Sequence, residues 1–157
     1  MSAHVVPLVR IQAEDFDTSA EVARLTRGRR DVGAVVTFTG LCRDEGGRLA
    51  ALELEHYPAM AEAEIARIAA EAMDRWPLNG VSVIHRFGRL APGDNIVLVV
   101  TTSSHRHAAF DAASFLMDYL KSKAPFWKKE HPRDGGDGGW VDAREDDEIA
   151  ARRWERG

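Results

Sequence analysis

Two runs dense in β-branched and aliphatic residues, 81–87 and 95–102, flank the turn formers Pro92-Gly93-Asp94, and this spacing most narrows what the chain can fold into. Strands joined so closely are expected to pair antiparallel, because a parallel crossover needs a dozen or more residues. A further buried strand is expected at 33–40, bounded by glycines, and another where Leu52 and Leu54 alternate with Glu53 and Glu55. The polar stretch Arg43-Asp44-Glu45-Gly46-Gly47-Arg48 between them suits a hairpin or a mobile flap. Pro58 opens a helix whose Ile65, Ile68, Ala69, Ala72 and Trp76 recur at helical spacing, and Pro77 ends it. Ser103 and Ser104 are natural caps for a second helix, with an apolar stripe of Ala109, Ala113, Leu116 and Leu120. Residues 131–139 read as a surface loop, 140–144 as a short returning strand and 145–154 as a last helix. The order β-β-α-β-β-α predicts an α+β sandwich, with a mainly antiparallel sheet covered by helices, rather than a parallel doubly wound sheet.

With 157 residues, 45% hydrophobic and 29% charged, the chain fits one domain with a real core. A net charge of −4 disfavours bulk binding to nucleic acid or an anionic membrane. The single cysteine, Cys42, excludes an internal disulfide framework and a multi-cysteine zinc site, and fits a reducing compartment, with the cytoplasm expected. The longest aliphatic run, 96–100, is far too short to cross a bilayer, and residues 1–10 hold no long apolar segment.

Against that acidic background, Lys121, Lys123, Lys128 and Lys129 gather around Phe126 and Trp127 at a helix end broken by Pro125. Proline cannot continue the helix, so Lys121 belongs on its last turn and Lys128 beyond the break, where two segments can converge on an anion. A solvated basic tail is the plainer alternative. At the other end of the helix, His105-Arg106-His107 sets cations beside the positive end of the dipole, an arrangement that an incoming phosphate would turn favourable. The alternative there is Arg106 paired with a carboxylate and His105 as a satisfied imidazole. His105 and His107 lack an evident third ligand, so no metal is expected, nor any cofactor. Arg43 is placed to close over a phosphate with a bidentate grip, or is simply an exposed loop arginine. Cys42 beside it is read as structural or pocket-lining. Arg106 and Lys121 stand about 22 Å apart at roughly 1.5 Å per residue, too far for one small ligand. They serve two sites, or a symmetric dimer brings one helix's start to its mate's end; the dimer is the preferred reading.

These residues give the chain a resemblance to the large, catalytic subunit of molybdopterin synthase, over about 31–154. It is carried by Gly33-Ala34-Val35-Val36-Thr37-Phe38-Thr39-Gly40, Leu54-Glu55-His56-Tyr57-Pro58-Ala59-Met60, Val83-Ile84-His85-Arg86-Phe87-Gly88, Ser104-His105-Arg106, Met117-Asp118-Tyr119-Leu120-Lys121 and Ala124-Pro125-Phe126-Trp127-Lys128-Lys129-Glu130. The resemblance implies an α/β-hammerhead-like sandwich and one domain spanning 1–157, with 1–30 partly peripheral. It implies sulfur insertion into cyclic pyranopterin monophosphate to form the molybdopterin dithiolene. The sulfur would come from the C-terminal Gly-Gly thiocarboxylate of a small ubiquitin-like carrier subunit, within a heterotetramer centred on a homodimer of the large chain. By position, Lys121 is expected next to the thiocarboxylate and Lys128 is the second essential lysine. Arg43, His105 and Arg106 would hold the phosphate region, the last two reaching across from the other subunit. Lys129, Glu130 and the backbone around Leu41 and Cys42 would line the pocket, with Arg144 a further basic contact. The 43–48 loop is short against the family pattern, and the family requires no cysteine for catalysis. The rival readings are another phosphate-ligand transferase, and a non-catalytic binding module that stacks RNA bases on Phe126 and Trp127.

Overall fold

The computed structural model describes residues 6–136, 138–141 and 145–155. Along the chain run β1 (Leu8–Gln12), α1 (Thr18–Thr26), β2 (Ala34–Leu41), β3 (Leu49–His56), α2 (Pro58–Arg75), β4 (Leu78–Arg86), β5 (Gly88–Leu90), β6 (Asn95–Ser103), α3 (Arg106–Ser122), β7 (Phe126–Pro132), β8 (Trp140–Val141) and α4 (Glu145–Arg152). Among the described residues the strands form two four-stranded sheets, ordered β1-β4-β6-β2 and β5-β3-β7-β8. The expected antiparallel pairing of the two central runs is present as β4 with β6, in register from Val81↔Thr101 to His85↔Val97. Pairing is antiparallel throughout except between β1 and β4.

The hairpin expected around residues 43–48 does not form. β2 pairs with β6 in the first sheet, whereas β3 pairs with β5 and β7 in the second, so this loop carries the chain from sheet to sheet. A second crossing follows β4: Gly88 adopts φ +94°, open to glycine at little cost, and sends β5 to the edge of β3.

The central strands read as near-continuous apolar runs because both faces of the first sheet are covered. On one side Ile65, Ala69 and Ala72 of α2 and Phe115, Leu116 and Leu120 of α3 pack on Val81, Val83, Val97 and Val99. On the other, Leu25 of α1 meets Ile84, Leu98 and Val100. Each fully buried Leu or Val contributes about 1.5–3 kcal/mol of transfer free energy. Residues 6–30 supply the outer strand β1 and this cover helix, whose first turn is capped by the Asp17 carboxylate accepting from the Ala20 N–H at 3.0 Å.

α3 positions the site. The serine caps expected for it are otherwise engaged: the Ser103 hydroxyl donates to the Pro77 carbonyl at 2.7 Å and Ser104 to the Asp31 carbonyl at 3.2 Å, so His105 occupies the cap position. Gly33 lies so close to this helix entry that a Cβ would sit 2.1 Å from the Ser104 carbonyl oxygen. Gly33→Ala is therefore expected to cost about 1–3 kcal/mol, read as a lower denaturant midpoint, because the clash is with backbone. At the far end α3 stops at Ser122, three residues before Pro125, with Lys121 in its last turn as the sequence predicts. Among the described residues no helix is long and apolar enough to cross a membrane.

Candidate active site

Beyond Pro125 the chain enters β7, where a solvated basic tail was the plainer alternative, and pairs with β3 from His56↔Phe126 to Leu49↔Pro132. His131 and Pro132, read as loop from sequence, belong to this strand. Strand alternation sorts its side chains. Phe126, Lys128 and Glu130 share one face, and Trp127, Lys129 and His131 the other. Lys128 and Lys129 therefore diverge. Lys129 reaches the Trp140 ring, 5.9 Å from its centroid, and acts on Glu53. The resemblance sets both lysines in one pocket; within this chain they lie on opposite faces of β7.

Lys128 instead converges with Lys121 on a buried imidazole. The His85 ring stacks on Phe126 with centroids 3.9 Å apart and planes at 16°. Its Nδ1–H donates to the Arg86 carbonyl at 2.8 Å, since a carbonyl can only accept. Burial holds its pKa down to about 4; the Arg86 hydrogen bond opposes this, and the charges of Lys128, Lys121 and His56 reinforce it. Three elements thus meet at one point: the end of α3, the start of β7 and the end of β4. His56 joins from β3, its ring 5.8 Å from Phe126 and 4.7 Å from Phe87, with its own pKa lowered by burial. His56 and Phe87 also line a cleft of about 570 Å³ with Leu54, Glu55 and Arg89.

Leu41 ends β2, and Cys42 and Arg43 follow it. The Cys42 N–H donates to the Asp94 carbonyl at 2.8 Å, and the Cys42 carbonyl accepts from Gly93 at 2.7 Å. Burial, then the carboxylates of Asp94, Asp44 and Glu130, push the Cys42 thiol pKa up, which keeps it protonated and unsuited to nucleophilic attack. The same field places Glu130 near Cys42. Leu41 and Arg43 are exposed, as are His105 and Arg106 at the opposite end of α3. Lys121 and Lys128 thus act on His85 and Glu130 acts on Cys42, while His105 and Arg106 lie at the opposite end of α3 from Lys121. Arg144 lies outside the described residues. His85 and His56 were absent from the sequence-derived site, whereas Phe126 was read there as apolar surface beside the lysines; the available signal for His85 was a histidine inside an otherwise apolar strand run.

The two-sheet α+β fold thus sets two lysines from separate elements near an uncharged, buried imidazole. The family described as MoaE protein matches residues 11–123. Over 154 residues the chain is 70% identical to the molybdopterin synthase catalytic subunit of Mesorhizobium japonicum, covering 98% of this chain and 97% of that one. Among solved structures it is similar to the molybdopterin biosynthesis MoaE protein from Burkholderia ambifaria, at 50% identity and TM-score 0.80, covering 94% of this chain and 97% of that one. It is also similar to the molybdopterin synthase from Staphylococcus aureus, at 36% identity and TM-score 0.73, covering 83% and 94%. The chain belongs to the MoaE family.

Proposed function

We propose that this chain is the catalytic subunit of a cytoplasmic molybdopterin synthase, taking sulfur from the thiocarboxylate of a small ubiquitin-like carrier and inserting it into cyclic pyranopterin monophosphate. The convergence of Lys121 and Lys128 carries the reading: two cations from different elements suit the anionic end of a carrier tail. The thiocarboxylate sulfur attacks an oxygen-bearing carbon of the pterin side chain, the C–S bond forming as that carbon's C–O bond breaks and the oxygen leaves with a proton, which gives a carrier–substrate thioester. Water then attacks the acyl carbon, the acyl C–S bond breaks, the carrier leaves as a carboxylate and the sulfur stays on the substrate. A lysine ammonium stabilises the oxyanion of that second step. Two sulfurs require two carriers, so the half-sulfurated intermediate stays bound by its phosphate while carriers exchange.

The phosphate grip of this reading needs two copies of the chain. β2 is an edge strand whose stretch 34–41 holds no charged residue, with Val35 and Phe38 each 39% exposed and Leu41 53%. Uncharged apolar edges invite pairing. Ala34 lies opposite Ser103, so the start of β2 sits beside the start of α3, while α3 runs back toward the 41–43 end with Lys121. Antiparallel pairing of two β2 strands about a two-fold axis brings His105 and Arg106 of one copy toward Arg43 and Lys121 of the other. Separate Lys121→Ala and Arg106→Ala chains are then inactive, yet co-expression should restore roughly a quarter of native molybdopterin formation, since half the dimers are mixed and each has one intact site. A mixture no more active than its parts would place each site within one copy.

A further inference from the structure

Resting on that reading of the site, we propose that Arg153 and Trp154, which follow α4, are positioning residues for sulfur transfer: they hold the Asp118 carboxylate on the α4 side of α3 and so keep it off the Lys121 ammonium, which stays available to the anionic acyl group.

Asp118 and Lys121 stand three residues apart on α3. Side chains at that spacing are neighbours on a helix surface, and an acidic residue one turn before a lysine is the favoured order for an ion pair. Helical side chains also lean toward the N-terminus, which carries the Lys121 stem back over the turn of Asp118. Nothing within the helix keeps the two charges apart. In the structure Asp118 is held from outside: the Trp154 indole N–H donates to Asp118 Oδ2 at 2.6 Å, and the Arg153 guanidinium reaches the same oxygen at 3.0 Å. The donors are themselves fixed. The Trp154 ring meets Trp76 and Phe115 edge to face, with centroids 5.5 and 5.7 Å away. The Arg153 guanidinium lies 4.6 Å from the centre of the Trp154 ring and donates to the Ser114 hydroxyl at 2.5 Å. With only 18% of its side chain exposed, Asp118 has little water to turn to, so these charge-assisted bonds decide its direction. An aspartate released onto Lys121 would neutralise the ammonium. It would also set a negative charge beside the incoming thiocarboxylate and oppose the oxyanion that the lysine serves.

Removing the clasp and removing the carboxylate carry opposite expectations. The double variant Arg153→Ala, Trp154→Phe frees Asp118 while keeping an aromatic ring against Trp76 and Phe115. With the full complex of chain, thiocarboxylated carrier and cyclic pyranopterin monophosphate, and well below its melting temperature, this variant is expected to lower kcat by about fivefold to fiftyfold, the scale of one misplaced charge near a protein surface. Adding Asp118→Asn should restore kcat to at least about half of native, and Asp118→Asn alone should stay within about twofold of native. A clasp that served packing alone would give no such rescue, since a further lost partner cannot mend a loosened helix. Native kcat in the double variant, or a triple variant no faster than the double, would overturn the proposal. A crystal structure of the double variant supplies an arm independent of turnover: an Asp118 carboxylate oxygen is expected within about 4 Å of Lys121 Nζ. A carboxylate that keeps its outward direction overturns the proposal even in a slowed enzyme. Native chain without any turnover would instead count against the proposed function, leaving this structure to decide the role of the clasp.

Discussion

Lys121→Ala is expected to lower molybdopterin formation by at least about a hundredfold while leaving the fold intact, the scale of losing one charged group that stabilises an acyl oxyanion. The fold should survive because α3 is anchored elsewhere. Leu116 is fully buried, Phe115 and Leu120 nearly so, and the Tyr119 hydroxyl donates to Glu64 on α2 at 3.1 Å. On the outer side, Asp118 accepts from the Trp154 indole at 2.6 Å and pairs with Arg153 at 3.0 Å. The exposed Lys121 side chain takes part in neither set, and its removal should change stability by no more than about 0.5 kcal/mol. The check is initial rate beside a thermal melt. An active, stable Lys121→Ala chain would remove the residue from its role.

Stability should also fall by about 3 kcal/mol between pH 7 and pH 4 through His85 alone. The sign follows from proton counting. Folded His85 has a pKa of about 4 against 6.5 for the ordinary imidazole, so between those values the unfolded chain binds a proton that the folded chain excludes. The stability is fully present above pH 6.5, declines as pH drops through that window and is lost once pH reaches about 4, the 2.5-unit difference corresponding to about 3 kcal/mol. Burial is the main cause, and the neighbouring charges of Lys128, Lys121 and His56 add to it. Because carboxylates such as Glu53 and Glu64 have lowered pKa values and also lose stability in acid, the quantity to measure is the difference between native and His85→Phe chains in urea unfolding at several pH values. That difference should shrink with falling pH; a constant difference would mean that the imidazole titrates normally.

What the sequence disclosed was set by where each element's partners lie. β4, β6, α2 and α3 were legible because their apolar patterns reflect burial on known periods, and the turn between the two strands announced their pairing. β7 was not: Phe-Trp-Lys-Lys-Glu-His-Pro has no alternating apolar face, and it becomes a strand because β3, more than seventy residues earlier, offers its edge. The same nonlocality hid the separation of β2 from β3 into different sheets. α1 was overlooked although Asp17 is a serviceable cap signal. For the site, the helix end and the proline break located Lys121 and Lys128 correctly on separate segments. Their common neighbour His85 was marked only by its place in an otherwise apolar run, which shows neither its partners nor its tautomer. The opposite faces of Lys128 and Lys129 became visible only once both were seen to lie in a strand.

The most direct test mixes the purified chain with cyclic pyranopterin monophosphate and a thiocarboxylated carrier subunit and follows molybdopterin by mass spectrometry, beside Lys121→Ala. Molybdopterin from the native chain, with two carriers consumed per product and almost none formed by Lys121→Ala, is the expected result. No molybdopterin from a native chain that demonstrably binds the carrier would contradict sulfur transfer at the Lys121–Lys128 site.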